Sequence, residues 1–149
     1  MCIRDRFDGL ELIGTQELEA EKFPVLRTVD SSSFLIEAAR GRGFGRQMRT
    51  AVLALAFGPL RARAAITSAW HDNQASLAVS RALGYLDNGE SLHARAGCVD
   101  GVDVMQHLRL RREEWLASRL ADRVTITGFD ACRPLFGLPE DAEPDVASR

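Results

Sequence analysis

Lysine is almost missing from this chain. Lys22 is the only one in 149 residues, and arginine supplies the rest of the positive side-chain charge. Cysteine is scarce too. Cys2, Cys98 and Cys132 are odd in number and far apart. They match neither a disulfide framework nor a zinc-ligand spacing, so they read as reduced thiols in a cytoplasmic protein with no metal site. No apolar run approaches the roughly 20 residues that span a bilayer. The opening MCIRDR is charged and has no apolar core, so no secretory signal is visible. The net charge of -2 gives no global case for nucleic acid. No internal repeat or long linker is present.

What is present is unevenly placed. Six arginines fall between Ala38 and His71, and no acid does. The closing PEDAEPD is acidic and is expected to fray. The length is enough for one domain with a real core.

Periodicity predicts a chain of short elements. FDGLELIGTQELE reads as a strand end, a turn at Asp8-Gly9 and a second strand. Pro24 is a breaker, and a strand is expected near Ser33 to Ala38. GRQMRTAVLALAFGPL places Met48, Val52, Leu55 and Ala56 on one helical face and stops at Gly58-Pro59. ARAAITSAWH reads as a short buried strand. DNQASLAVSRALGY opens on an Asp or Asn cap and closes at Gly84 as a helix C-cap. Two strand-like stretches and the short charged helix REEWLASRLADR follow. In the apolar stretch VTITGFDACRPLFGL, leaving Phe129, Leu135 and Phe136 exposed would be costly. Strands alternating with helices imply an α/β or α+β sheet covered by helices.

The most informative stretch is EAARGRGFGRQMRT, Glu37 to Thr50. Three glycines stand where a strand ends and a helix begins. A helix start leaves backbone N–H groups unpaired, and the macrodipole adds about half a positive charge there. Together they suit a phosphate, and glycine lets it approach the backbone. A P-loop would need Gly-Lys followed by Ser or Thr, but Gly45-Arg46-Gln47 stands here. A dinucleotide fingerprint needs G-x-G-x-x-G and an acid on the next strand; both are missing. An RGG-type RNA segment would be long and repeated, and this one is single.

Arg40-Gly41-Arg42-Gly43-Phe44-Gly45 resembles the acyl-CoA pyrophosphate loop of the GNAT acetyltransferase superfamily, Arg or Gln, x, x, Gly, x, Gly or Ala. A second stretch carries the same resemblance. Asn73, Ser76, Leu83, Gly84 and Tyr85 match the family's other signature, an Asn and a Ser opening a helix that ends in Leu-Gly-Tyr. HLRLRREEW resembles the last strand and following helix of the ribosomal-protein N-terminal acetyltransferase branch. The resemblance spans about Leu10 to Trp115.

The resemblance implies a mixed, mostly antiparallel central sheet flanked by helices, in a three-layer α+β fold. It implies residues 1–121 as the acetyltransferase domain and 122–149 as a C-terminal extension with an acidic tail. It implies acetyl-CoA as co-substrate and direct attack of a primary amine on the thioester. The pyrophosphate would lie on N–H groups of Arg42 to Arg46, with Arg40 and Arg42 near the phosphates. The strand from Phe34, through Leu35 and Ile36, would pair with the pantetheine arm. Asn73 would bond that arm or cap its helix. Many members place a tyrosine acid where this chain has Ser80, so Ser76 is the better candidate, with Ser80 on the same helix face. Glu37 is the one carboxylate just before the loop and a candidate base. His71, at a strand end, either assists acceptor or CoA or merely ends the strand. His93 and His107 read as structural, and Trp70, Trp115 and Tyr85 as packing residues.

The family opens with a strand and one or two helices before this hairpin, which implies an N-terminally incomplete chain. The acceptor is a protein N-terminus or a small amine, and the state a monomer or homodimer. The competing readings are a non-catalytic acyl-CoA-binding module or inactive fragment and, more weakly, an RNA-binding domain.

Overall fold

The computed structural model describes residues 6–98 and 100–138. Cys2, the MCIR start and the acidic stretch 139–145 lie outside the described residues. Six strands form one sheet in the order β1-β2-β3-β4-β6-β5. They are β1 (Arg6–Asp8), β2 (Glu11–Glu19), β3 (Thr28–Leu35), β4 (Ala64–Trp70), β5 (Leu86–Ala94) and β6 (Val102–Arg111). Every neighbouring pair is antiparallel except β3 and β4, which run parallel. A parallel pair needs a crossover, and here a helix supplies it. That helix is α2 (Phe44–Phe57), the longest in the chain.

The other helices are α1 (Phe23–Leu26), α3 (Gln74–Ala82), α4 (Arg112–Ser118) and α5 (Phe129–Cys132). Pro24 does not break the chain here; it sits in the first turn of α1, where its missing N–H costs nothing. The strand expected over Ser33 to Ala38 starts earlier and ends at Leu35. Glu37–Ala39 is a single 3-10 turn instead. β2 holds β3 along its length, from Gly14 opposite Leu35 to Glu19 opposite Asp30, and this pairing fixes where β3 stops.

The core lies between one sheet face and the helices. α2 buries Met48, Val52, Leu53, Ala56 and Phe57. Leu53 rather than Leu55 is at the centre of that face. The helix is covered by the sheet and also flanked by α3 and α4, so its apolar stripe is wider than one row. Trp115 of α4 is fully buried against Phe57, with ring centroids 6.0 Å apart. Beyond α4 the chain returns to the core. Leu138 is buried, and Phe129 and Phe136 pack against the same cluster. Leu135 does not; it is 76% exposed, because the turn at Arg133–Phe136 puts Phe136 inward in its place. No helix among the described residues is long and apolar enough to cross a membrane.

Gly14 is forced by close approach. A Cβ on Gly14 would sit 2.1 Å from the Phe34 carbonyl oxygen and 3.0 Å from the Leu35 Cα. Both are backbone atoms of the neighbouring strand and cannot rotate away. Gly14→Ala is therefore expected to push β2 from the end of β3 and cost at least about 1–3 kcal/mol. A urea melt checks it; an unchanged midpoint would contradict the packing described.

Candidate active site

The parallel ladder between β3 and β4 is short. Only Thr28, Val29 and Asp30 pair with Ala64, Ala65 and Ile66. After Asp30 the strands part. The Thr67 hydroxyl donates to the Ser31 carbonyl at 2.8 Å, at the point of divergence. Beyond that point the strands leave backbone groups open, and a cleft runs through the sheet.

One end of the cleft, about 520 Å³, is floored by the glycine loop. Gly41 and Gly43 have φ of 72° and 84°, a left-handed conformation that costs an L side chain energy. Gly43 caps α2, so the N–H groups of the first turn open into the cleft. Gly45 serves differently. Its φ is not positive, and a Cβ there would meet Leu35 and Val79 side chains at 3.6 and 4.0 Å, ordinary contact. Arg40, Phe34, Leu35 and Arg46 also line this end.

The other end, about 170 Å³, is lined by Ser32, Ser68, Trp70 and Met105. Ser33, Arg49, Asn73 and Ser76 line both ends, so they mark the junction.

Of the residues singled out from sequence, most reach the cleft. Asn73 caps α3: its Oδ1 accepts the Ser76 N–H at 3.2 Å. Ser76 itself is half-buried at the junction. Arg40 donates from Nε to the Leu35 carbonyl and lies over the Phe34 ring. Arg42 does not line the cleft; it turns to Asp8 at 3.5 Å and stacks on Phe44. Ile36 also lies outside the cleft lining, and its N–H is spent on the Ile13 carbonyl at 3.0 Å. Glu37 is exposed on the 3-10 turn and lines neither end. Ser80 is buried under the cleft, where its hydroxyl donates to the Ser76 carbonyl at 3.1 Å.

Two groups gain their partners only in three dimensions, Arg49 without a sequence signal and His71 already noted at a strand end. Arg49 is 3% exposed, and its Nη1 donates to the Ser80 hydroxyl at 2.6 Å. Burial pushes its pKa down, while Tyr85 and Asp30 act to raise it. The Tyr85 phenol is itself buried and bonded to the Ser31 hydroxyl at 3.1 Å; burial pushes its pKa up. The second group is His71, just past β4; it is 61% exposed and lines neither end of the cleft itself, but stands between Trp70 and Asn73, which do. Its Nδ1 lies 2.7 Å from the buried Asp103 carboxylate on β6. Asp103 also accepts from Arg95 and from the Val104 N–H. Burial pushes the Asp103 carboxyl up, but the bonds from Arg95, Val104 and His71 together outweigh it and hold it below the usual carboxylate range. It therefore stays ionised and orients the imidazole through Nδ1. His107 bonds the Ser68 and Ser91 hydroxyls, and His93 bonds Ser91 and meets the edge of Trp70.

The fold has counterparts among solved structures. A single-substitution variant of spermidine N-acetyltransferase from Vibrio cholerae superposes with a TM-score of 0.67 at 17% identity, over 76% of this chain and 67% of that one. This is the acyl-CoA N-acyltransferase fold. The same Vibrio enzyme in complex with CoA and spermine matches at TM-score 0.63 and 18% identity, over 71% of this chain and 62% of that one. A protein described as a probable acetyltransferase matches at TM-score 0.60 and 24% identity, over 71% of this chain and 59% of that one. The chain thus spans roughly three fifths to two thirds of the length of each. No protein-family model matches the chain.

Proposed function

We propose that this chain is an acetyl-CoA-dependent N-acetyltransferase acting on a primary amine. The observation that carries this reading is the fork. It leaves β3 backbone groups unpaired beside the glycine loop, so one cleft can hold a pyrophosphate at one end and a thioester at the other. Backbone N–H groups and the positive helix end suit the pyrophosphate. At the junction Ser76 offers a hydroxyl to the departing thiolate, directly or through a water. His71, held by Asp103, takes the proton of the attacking amine through Nε2. Metal ligation plays no part in this scheme.

The acceptor side favours a cation. Glu17 and Glu19 lie opposite Ser32 and Asp30 on the open sheet face, and the Ser32 hydroxyl donates to Glu17 at 3.1 Å. Ser32 lines the acceptor end of the cleft. These acids would draw in an amine that arrives protonated. Both a protein N-terminus and a polyamine fit that field; the spermidine acetyltransferase neighbours favour the polyamine. The acetyltransferase unit is proposed to end near residue 121, and the later segments to brace its core.

Calorimetry with acetyl-CoA, followed by thiol release across a panel of polyamines, small amines and N-terminal peptides, tests this reading. Saturable binding and turnover with at least one amine are expected. A folded protein that binds no acetyl-CoA at high micromolar ligand refutes it. His71→Gln is expected to lower kcat about 100-fold while leaving acetyl-CoA affinity nearly intact. An unchanged kcat would remove His71 from the mechanism.

A further inference from the structure

Arg49 is an unusual residue to find at a thioester site. It belongs to α2, one turn beyond the glycine loop, and its side chain runs inward beneath the cleft. Its hydrogen-bond partners among the described residues are all neutral hydroxyls. Nη1 donates to Ser80 at 2.6 Å and to Thr67 at 3.4 Å; Nη2 donates to Ser33 at 3.1 Å. No ion pair joins it to a carboxylate among those residues, and its buried Nε has no partner. The fold therefore buries a guanidinium with no carboxylate within hydrogen-bond reach among the described residues; Asp30 acts on it only from farther away.

Such an arrangement is costly. A buried cation is normally neutralised by an acid within hydrogen-bond reach. Three hydroxyls orient the guanidinium but do not cancel its charge. If its task were only to tie β3, β4 and α3 together, an uncharged amide would bond the same hydroxyls at lower desolvation cost. Arginine is the side chain suited to a planar carboxylate, through paired N–H donors. A contacting anion has access from the cleft, because Arg49 lines both ends of it and sits with Ser33, Asn73 and Ser76 at the junction.

We infer that Arg49 recognises a carboxylate on the acyl group, so that the preferred donors are dicarboxylic acyl-CoA thioesters such as succinyl-CoA. The acceptor is a poorer source of that charge. Its approach runs past Glu17, Glu19 and Asp30, which repel a carboxylate. The inference rests on the acyl-CoA reading of the cleft. The chemistry of transfer is unchanged by it: the amine nitrogen bonds the thioester carbon, the C–S bond breaks, and CoA leaves as thiol with the amine's proton.

Calorimetry on the intact chain with succinyl-CoA, acetyl-CoA and butyryl-CoA tests it. Butyryl-CoA has the same chain length as succinyl-CoA without the charge. Succinyl-CoA is expected to bind at least about tenfold more tightly than butyryl-CoA. That ratio is expected to collapse towards one in Arg49→Met and to survive in part in Arg49→Lys, which keeps the charge. The ratio is read within each variant, so a general loss of affinity does not mimic the result. Should Arg49→Met not fold, Arg49→Lys and the wild-type ratio decide. Equal affinity for the two thioesters in the wild type overturns the inference and leaves the acyl-CoA reading standing. So does a preference that persists in Arg49→Met, or an Arg49-dependent preference for carboxylate-bearing acceptors with none among donors. If no CoA thioester binds, the acyl-CoA reading fails and takes the inference with it.

Discussion

Gly43→Val is expected to raise the Kd for acetyl-CoA by one to two orders of magnitude, while Gly45→Ala changes it little. The two glycines look alike in sequence, but they have different physical duties. Gly43 caps α2 at φ 84°, and nothing lies within 4 Å of where a Cβ would be. Space is not its constraint; the backbone conformation is. A β-branched residue held there carries strain of about 1–3 kcal/mol. The loop is free to relieve the strain by leaving that conformation, and a ligand must then pay to restore it. That range corresponds to about 5- to 150-fold in affinity. Gly45 lies inside the first turn of α2 with an ordinary helical backbone. An alanine methyl there makes normal contact with Leu35 and Val79. It also raises helix propensity, by about 0.5–1 kcal/mol. Gly45→Ala should therefore bind acetyl-CoA much as the wild type does and melt slightly higher. Calorimetry on both variants decides. Equal losses would mean that the ligand is not read through the conformation of this loop.

Trp115→Ala is expected to cost about 3–5 kcal/mol, the largest stability loss of any single truncation considered. Trp115 is fully buried and touches Phe57 near the end of α2, so it joins the helix after β6 to the crossover helix. Truncation leaves a cavity between elements that are each anchored elsewhere and cannot collapse to fill it. For a domain of this size the melting temperature should drop on the order of 10–20 °C. Trp115→Phe should cost far less. The indole Nε1 has no partner among the described residues, so phenylalanine removes area and an unsatisfied N–H together. Paired thermal melts check both. If the phenylalanine variant fell as far as the alanine one, the indole nitrogen would have to carry a bond after all.

Other parts of the molecule show why some features can be read from a linear chain and others cannot. The glycine loop and the Asn73 cap are local. Each depends on residues within one turn of the chain, and both form where the spacing puts them. The alternation of strands and helices was legible for the same reason. The limits of β3 were not, because its end is set by β2, through Gly14 opposite Leu35. Glu37 is beside the loop in sequence, yet the 3-10 turn carries it out of the cleft. Leu135 and Phe136 are equally apolar neighbours, and only the packing of the final turn decides which of them is buried.

The chain alone specified a glycine-capped helix start, the element proposed to bind the donor, because the presentation of its backbone N–H groups follows from where glycines fall. It also specified an α+β architecture, through hydrophobic periodicity. Tertiary structure alone decided the rest of the site. Arg49 reads in sequence as one more charge on a helix rich in arginine, and burial between β3, β4 and α3 gives it a different meaning. His71 becomes a candidate base only when β6 brings Asp103 beneath it. Charge burial and partner geometry are properties of distant segments brought together, and no local spacing encodes them.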